Sequence, residues 1–318
     1  MITIDQSRVL NRIIENVEKV IVGKRQTIEK MIVAMLAQGH ILFEDVPGVG
    51  KTRMVKALAR SINGTFKRIQ FTPDLLPTDV IGVSVYNQKT MEFEFKQGPI
   101  MTNILLADEI NRTSPKTQSA LLESMEERSL TVDGMTYHLD KPFIVMATQN
   151  PVEYEGTYPL PEAQMDRFMM KLHLGYPEKI DEVEILSRSM MMETPDALST
   201  VCTIEEIVEL QGQVSQVYVS EAIKEYIVEI CQMTRNYQDV LLGVSPRGTV
   251  ALYKAAQARA FLKERDFVTP DDIKELAAEV LAHRIILKSE ARFEGVSPTQ
   301  VVQSILERIP VPVARDKG

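Results

Sequence analysis

The sequence has no long apolar segment. Its longest unbroken apolar run, residues 31–37, is seven residues long, whereas a membrane-spanning helix needs about 20. Near the N-terminus, the charged residues Asp5, Arg8, Arg12 and Glu15 interrupt the apolar ones, so the uncharged core of a signal peptide is missing there. These two absences predict a cytoplasmic protein without a transmembrane segment.

Cysteine and histidine are scarce, and positive charge is not in excess. Cys202 and Cys231 show no metal-ligand spacing and are interpreted as buried, reduced thiols. The four histidines are scattered along the chain, which argues against a zinc site. Lysine and arginine number 36 against 44 acidic residues, a net charge of −8. The chain therefore has no overall electrostatic attraction to nucleic acid or anionic lipid.

The pattern of apolar residues predicts two domains. The 318 residues are 44% hydrophobic and 25% charged, values typical of a folded chain of about two domains. In the first part, helical periods alternate with strand candidates at residues 41–43, 66–71, 104–107 and 143–147. Later, helices alone are predicted, at residues 178–192, 203–214, 220–235, 245–265, 269–287 and 297–308. We predict an α/β core with a parallel sheet in residues 1–178 and a smaller all-helical domain in residues 179–318.

A glycine-containing loop follows the first predicted strand and opens a helix. Its residues are Pro47, Gly48, Val49, Gly50, Lys51 and Thr52. In this context, consecutive backbone N–H groups can surround phosphate oxygens at the helix N-terminus. Lys51 would then reach the β- and γ-phosphates of a nucleotide, and the Thr52 hydroxyl would bind Mg²⁺. One residue departs from the G-x-x-x-x-G-K-[ST] pattern, because Asp45 occupies the position of its first glycine.

Two carboxylates end the third predicted strand. Asp108 and Glu109 directly follow an apolar run, and residues just past the ends of parallel strands line the ligand crevice of such a sheet. Asp108 can support the magnesium ion, and Glu109 can orient and polarise an attacking water as a general base. A nucleotide switch needs the aspartate but not the glutamate. The pair therefore points to hydrolysis.

The fourth predicted strand also ends in polar residues. Asn150 follows it and precedes Pro151. Its amide could hold the attacking water near the γ-phosphate, but asparagine before proline is also a common turn former. The residue pattern alone leaves both interpretations open.

Two β-hairpins are predicted as insertions in the α/β core. Residues 82–98 alternate apolar and acidic residues around a polar tip, and residues 130–139 contain the two-residue turn Asp133-Gly134.

Several segments resemble the sequence motifs of one protein family. They are EDVPGVGKT (44–52), FTPDLLP (71–77), QGPI (97–100), ADEINR (107–112), LPEAQMDRF (160–168) and VSPR (244–247). With three polar strand tips in this order and a helical domain behind them, the chain resembles the AAA+ ATPases and, among them, the MoxR family. The resemblance covers nearly the whole chain. Asp45 does not weigh against it, because the family is relaxed at that position.

The resemblance implies roles that spacing alone does not assign, with ATP and Mg²⁺ as cofactors. Asn150 matches the sensor-one asparagine, and Arg167 matches the arginine finger that reaches the nucleotide of a neighbouring subunit. Arg247 matches the sensor-two arginine, and Val22-Gly23 matches a segment near the adenine. Each arginine would neutralise charge on the γ-phosphoryl oxygens.

The resemblance also implies a function. It is that of a homo-oligomeric ring, a hexamer, which uses ATP hydrolysis to remodel, mature or activate a client protein complex. The usual partners of the family are proteins with von Willebrand factor A-type domains, and the hairpins are implied to face the pore or the substrate.

Two other functions on the same fold stay open. One is a magnesium-chelatase-type ATPase subunit, which shares the inserted hairpins. The other is a nucleic-acid-acting motor. No nucleic-acid partner is predicted, because the first hairpin is acidic along one strand and the turn of the second is Asp133-Gly134, whereas nucleic-acid loops need lysine and arginine.

Overall fold

Five parallel strands form the central sheet of the computed structural model, which describes residues 4–151, 157–188 and 194–312. The described ranges contain these five strands and six others, which form two-stranded sheets. In chain order the strands are β1 (Ile41–Glu44), β2 (Phe66–Gln70), β3 (Gly82–Asn87), β4 (Glu92–Gln97), β5 (Ile104–Asp108), β6 (Ser129–Val132), β7 (Met135–His138), β8 (Ile144–Gln149), β9 (Met170–Leu172), β10 (Val240–Leu242) and β11 (Ile286–Leu287). The order in the central sheet is β2-β5-β8-β1-β9. The strand β9 is only three residues long, and it was not predicted from the sequence.

Helices precede the sheet, connect its strands and follow it. They are α1 (Ile4–Glu18), α2 (Arg25–Leu36), α3 (Lys51–Ser61), α4 (Pro77–Ile81), α5 (Pro115–Glu127), α6 (Glu162–Met165), α7 (Lys179–Arg188), α8 (Ile204–Val214), α9 (Glu221–Asn236), α10 (Pro246–Leu262), α11 (Pro270–Leu281), α12 (Ser289–Phe293) and α13 (Pro298–Arg308). The predicted helix 178–192 is described as far as Arg188, and its remaining residues lie outside the described ranges.

Both faces of the central sheet are covered. Ile104 and Leu106 of β5 belong to an apolar cluster on one face, whereas Leu105 and Ala107 belong to a second cluster on the other face. Successive side chains of a strand point to opposite faces, so a strand buried on both sides becomes a continuous apolar run. This confirms the predicted α/β core, and it brings the carboxyl ends of the parallel strands to one edge of the sheet.

Both predicted hairpins are present. The strands β3 and β4 pair antiparallel, as do β6 and β7. Asp133 and Gly134 have φ angles of 50° and 79°, the left-handed backbone that a tight two-residue hairpin turn requires. Phe95 of the first hairpin stacks on Tyr137 of the second, with ring centroids 4.3 Å apart.

The second domain is helical, as predicted, with one exception. The helix predicted over residues 269–287 ends at Leu281, and the chain continues through a 3₁₀ turn (Ala282–Arg284) into β11, which pairs with β10. The chain leaves the helix where His283 and Arg284 bind the backbone carbonyl of Phe168 in the first domain. Sequence periodicity does not register such a contact, which is why the helix was predicted too long.

The second domain packs against α2. Arg259 of α10 is buried and pairs with Glu29 at 2.8 Å, and Gln211 of α8 donates to the carbonyl oxygen of Met35 at 2.8 Å. One apolar cluster runs through both parts. The boundary at residue 178 stays a prediction.

Both cysteines are buried free thiols, as predicted. Burial raises the pKa of Cys202 to about 12 and also raises the pKa of Cys231, so neither thiol is ionised at neutral pH. Across the described ranges, no helix combines the length and the apolar character needed to cross a bilayer.

Candidate active site

The predicted phosphate loop joins β1 to α3. Gly48 and Gly50 have φ angles of 88° and 97°, a left-handed conformation that glycine adopts without steric cost. Gly50 is the N-cap residue of α3, so the loop ends at a helix N-terminus, where unsatisfied backbone N–H groups favour anions.

Asp45 has a structural task that explains the departure from the glycine pattern. It is buried, and its carboxylate accepts the backbone N–H groups of Leu174 at 2.8 Å and Gly175 at 3.0 Å. These two residues follow β9. The aspartate therefore fixes the start of the phosphate loop to the neighbouring edge of the sheet, a contact that glycine could not make.

The Lys51 side chain folds back over the loop. Its Nζ donates to the carbonyl oxygens of Asp45 at 2.9 Å and Val46 at 3.3 Å. Partial burial lowers the pKa of Lys51, and the charges of Asp45, Asp108 and Glu109 act in the opposite direction. An ammonium held by carbonyl oxygens can exchange them for phosphate oxygens, which bear more negative charge.

Asp108 lies at the end of β5 with both carboxylate oxygens engaged. Oδ1 accepts from Thr148 Oγ1 at 2.6 Å, and Oδ2 accepts from Arg68 Nη2 at 2.6 Å and Nε at 3.1 Å. Thr148 also accepts the backbone N–H of Glu109 at 2.8 Å. The side chain of the neighbouring strand β8 thereby fixes the position of the acid pair.

Glu109 is held through one oxygen. Its Oε2 accepts from Gln70 Nε2 at 2.7 Å and from Arg112 Nη1 at 2.9 Å. Its φ angle is 57°, a conformation that is uncommon outside glycine, asparagine and aspartate. Such departures cluster at functional sites.

Arg68 and Gln70 also line the site, although neither was predicted from the sequence. They lie two residues apart on β2, so their side chains share one face of the strand. In register, Arg68 pairs with Leu106 and Gln70 with Asp108. Arg68 also donates to Gln70 Oε1 at 2.7 Å. The sequence contained one indication of their role. Two polar residues lie two positions apart in a predicted strand, and such a strand can lie beside the one that carries the acid pair.

These groups surround one cleft of about 360 Å³. The residues that line it are Asp45, Pro47, Gly48, Gly50, Lys51, Thr52, Arg53, Arg68, Gln70, Asp108, Glu109, Thr148, Gln149 and Asn150. A cleft of this size suits a small ligand. The fold therefore brings the loop, the acid pair and Asn150 together at one edge of the sheet. In the sequence, the loop and Asn150 are about a hundred residues apart.

Val22 and Gly23 lie beside this cleft rather than in its lining. Gly23 has a φ angle of 73°, and a Cβ placed there would come within 2.0 Å of Asp181 Oδ2 in α7. The adjoining Ile21 approaches the phosphate loop, with Cδ1 3.5 Å from the Cβ position of Gly50. The role predicted for Val22-Gly23 at the adenine stays a prediction.

Arg167 and Arg247 meet at a different place. Arg167 Nε lies 3.2 Å from Oε2 of Glu126 at the end of α5, and Arg247 Nη2 bonds to Oε1 of the same carboxylate. Neither arginine belongs to the described lining of the cleft. The structure thus separates the two predicted arginines from the chain's own phosphate loop and places them side by side.

Comparison with known proteins identifies the family of this chain. Residues 40–170 match the family described as "ATPase family associated with various cellular activities (AAA)", and residues 232–305 match the "AAA lid domain". An uncharacterised protein of Bacillus subtilis, YeaC, is 58% identical over 98% of this chain and 97% of its own length. The chaperone MoxR1 of Mycobacterium tuberculosis is 43% identical over 95% of this chain and 82% of its own length. The chain belongs to the MoxR family of AAA+ ATPases.

A solved structure from Cytophaga hutchinsonii, described as a presumed ATPase, supports the same conclusion. The match covers 97% of the present chain and 96% of the chain in that structure, with 43% sequence identity and a TM-score of 0.91. The family resemblance and the AAA+ fold predicted from the sequence are confirmed, and the chain is an ATPase.

The cleft of this MoxR-family chain fits a nucleotide with Mg²⁺. The left-handed glycines keep the loop free of side chains where phosphate groups would approach. The Thr52 hydroxyl and the Asp108 carboxylate lie in the same lining, and such oxygen donors are the ligands that Mg²⁺ prefers.

Proposed function

We propose that the chain is a Mg²⁺-dependent ATPase that works as an oligomeric ring and uses hydrolysis to remodel a partner protein complex. One observation carries the proposal. The phosphate loop and the acid pair Asp108-Glu109 share one cleft, while Arg167 and Arg247 lie together outside it. We infer from this division of charges that the site is completed where two subunits meet.

In this proposal the loop and β5 hold the nucleotide. Lys51 would leave its carbonyl partners for the β- and γ-phosphate oxygens, and Thr52 and Asp108 would hold the magnesium ion. The bound metal supplies positive charge to the phosphate oxygens. Asp108, whose Oδ2 now accepts from Arg68 Nη2 at 2.6 Å, would release this arginine to hold the metal.

Glu109 acts as the base that orients water. A carboxylate with one oxygen bound to Gln70 and Arg112 keeps its other oxygen for the attacking water. Asn150 lines the same cleft and holds that water against the γ-phosphate. Both act by positioning, which is the main task of an enzyme in phosphoryl transfer.

Arg167 and Arg247 act on the nucleotide of the neighbouring subunit. Both are held by Glu126 in a single chain, and the phosphate groups of the neighbour's ATP would displace this carboxylate. Arginines that neutralise transition-state charge in this way are worth about 10³–10⁵ in rate in other phosphoryl-transfer enzymes. This sharing of sites supports a homo-oligomeric ring, and the family resemblance implies that the ring is a hexamer.

The client is proposed to be a protein. MoxR1, 43% identical, is named a chaperone, and the family resemblance indicates a partner with a von Willebrand factor A-type domain. The net charge of −8 opposes a nucleic-acid-acting motor. A magnesium-chelatase-type subunit is the other alternative.

Calorimetry with ATP and Mg²⁺ tests the site. Lys51→Ala should abolish ATP binding, whereas Glu109→Gln should bind ATP and stop turnover. Lys56→Ala is the matched control, because Lys56 lies on the same helix α3 and pairs with Asp196 at 2.7 Å. Equal ATP affinity of wild type and Lys51→Ala would overturn the assignment of the loop.

Capture of the partner tests the function. Glu109→Gln held in ATP should retain a client protein complex from a cell extract, and Lys51→Ala should not. Recovery of a chelatase subunit, or of nucleic acid that stimulates hydrolysis at physiological salt, would replace the remodelling function by one of the two alternatives.

A further inference from the structure

Arg284, a buried arginine of the second domain, donates hydrogen bonds to the backbone on both sides of Arg167. Arg284 Nη1 donates to the carbonyl oxygen of Asp166 at 2.8 Å, and Nη2 donates to the carbonyl oxygen of Phe168 at 2.6 Å. Nη1 also bonds to the Asp166 carboxylate, and the Arg284 side chain is 2% exposed. The planar fork of arginine suits two acceptors at a fixed separation.

Neighbouring groups complete this grip. His283 Nε2 lies 3.1 Å from the carbonyl oxygen of Phe168, which itself is fully buried. Arg284 Nε donates to the carbonyl oxygen of Val280 at 2.8 Å, so the guanidinium is anchored within its own domain. A Cβ at Gly248 would lie 2.9 Å from Arg284 Cδ, so the first turn of α10 leaves space for the arginine stem.

The same aspartate connects Arg167 to Arg247. Asp166 Oδ2 accepts from Ser245 Oγ at 2.9 Å, and Ser245 is the N-cap residue of α10, two positions before Arg247. The backbone that carries Arg167 is therefore bonded to the helix start that carries Arg247. Both side chains then converge on Glu126.

We propose that Arg284 is a positioning residue that presents Arg167 and Arg247 as one unit to the nucleotide of the neighbouring subunit. The proposal rests on the function proposed above. Arg284 is not among the described residues that line the cleft, and it is linked to Arg167 and Arg247 through the segment 166–168. Because it belongs to the second domain, any displacement of that domain displaces Arg167 with it.

The direct test is complementation between inactive variants. In Arg284→Gln the phosphate loop is intact, so ATP affinity should equal that of wild type, while kcat falls about 10²-fold because Arg167 is misplaced by about an ångström. Mixing Arg284→Gln with Lys51→Ala should restore turnover, since the latter offers an intact Arg167. Mixing it with Arg167→Ala should not, because both then lack a correctly placed finger.

The matched control is Arg265→Gln. Arg265 also lies in the second domain and forms a two-point pair with Asp272, so its loss tests general damage to that domain. It should keep kcat within about threefold of wild type, because it has no contact with the segment 166–168. If Arg284→Gln does not fold, Arg284→Lys keeps the buried charge but cannot reach both carbonyl oxygens, and the same results are expected of it.

Two results would overturn the proposal. One is near wild-type kcat in the Arg284 variants when Arg167→Ala is inactive. The other is a loss of turnover that Lys51→Ala does not restore, although sedimentation shows mixed rings. Full activity of Arg167→Ala itself would instead overturn the role proposed for the finger, so the two failures are distinguishable.

Discussion

Arg167 lies against Glu126 of its own chain, with 3.2 Å between Nε and Oε2. Arg247 shares this carboxylate, so two arginines have one acidic partner in the isolated subunit. Phosphate groups carry more charge than a carboxylate and accept two-point bonds from arginine. In the proposed ring, the nucleotide of a neighbouring subunit would therefore be a better partner for this pair of arginines than Glu126.

The first prediction follows from the proposed sharing of one site by two chains. In the proposed function, Lys51→Ala should fail to hold ATP but still offer Arg167, whereas Arg167→Ala should hold ATP but lack the finger. Mixed rings of the two should regain part of the wild-type turnover, measured as phosphate release. Wild-type activity per chain should rise with protein concentration, because assembly completes the site.

Sedimentation must first show that the two variants assemble together. Mixed rings that stay silent, beside Arg167→Ala rings that hydrolyse ATP normally, would show that Arg167 is only an ion-pair residue.

The second prediction concerns the metal. Arg68 pairs with Asp108 Oδ2, and in the proposed function Mg²⁺ would have to displace it. A half-exposed ion pair of this kind is worth about 0.2–1 kcal/mol, so Arg68→Ala should lower the half-saturating metal concentration by up to about fivefold. Loss of the free Mn²⁺ signal in electron paramagnetic resonance, with protein and ADP present, measures this directly.

Lys67→Ala is the control, because Lys67 points to the opposite face of β2. A metal requirement that is unchanged or higher in Arg68→Ala would contradict the displacement of Arg68 by the metal.

The third prediction concerns acid stability. His40 is buried, its Nδ1 accepts the Val145 N–H at 2.9 Å, and its Nε2 lies 3.1 Å from the Met125 carbonyl oxygen. Burial lowers its pKa from 6.5 to about 4. Between these values the unfolded chain binds a proton that the folded chain does not, so stability falls as the pH falls. Acidification through this range should therefore lower the free energy of unfolding by about 3 kcal/mol through His40 alone.

Urea unfolding at pH 7 and at pH 4.5 measures this difference. His40→Gln should be less stable at pH 7 but lose less stability on acidification. His138→Gln, at an exposed position of β7, should keep the wild-type pH dependence. Equal pH dependence in all three proteins would rule out His40 as the source.

The fourth prediction separates two phenylalanines of one strand. Phe93 is 74% exposed, whereas Phe95 is half-buried and stacks on Tyr137. Phe95→Ala should cost about 1–2 kcal/mol of unfolding free energy, since it removes packing and a ring contact. Phe93→Ser should change stability by less than about 0.5 kcal/mol.

If the first hairpin contacts the client, Phe93→Ser should keep basal hydrolysis and reduce capture in the Glu109→Gln background. Undiminished capture would show that the exposed ring serves another purpose.

Local sequence patterns determined the phosphate loop, the acid pair, the strands that carry them and most helix starts. These features depend on short-range physics: glycines permit left-handed backbone, apolar runs form buried strands, and Ser or Thr caps a helix within three residues. The capping box of α8 is an example, with Thr203 Oγ1 accepting the Glu206 N–H at 3.3 Å.

The partners of these residues were decided only by the tertiary structure. Arg68 and Gln70 contact the acid pair because β2 lies in register beside β5. Asp45 binds the backbone of Leu174 because β9 ends nearby. Arg284 lies 118 residues from the aspartate that it binds. Such contacts depend on which strands and helices become neighbours, and that depends on the packing of the whole chain rather than on any local period.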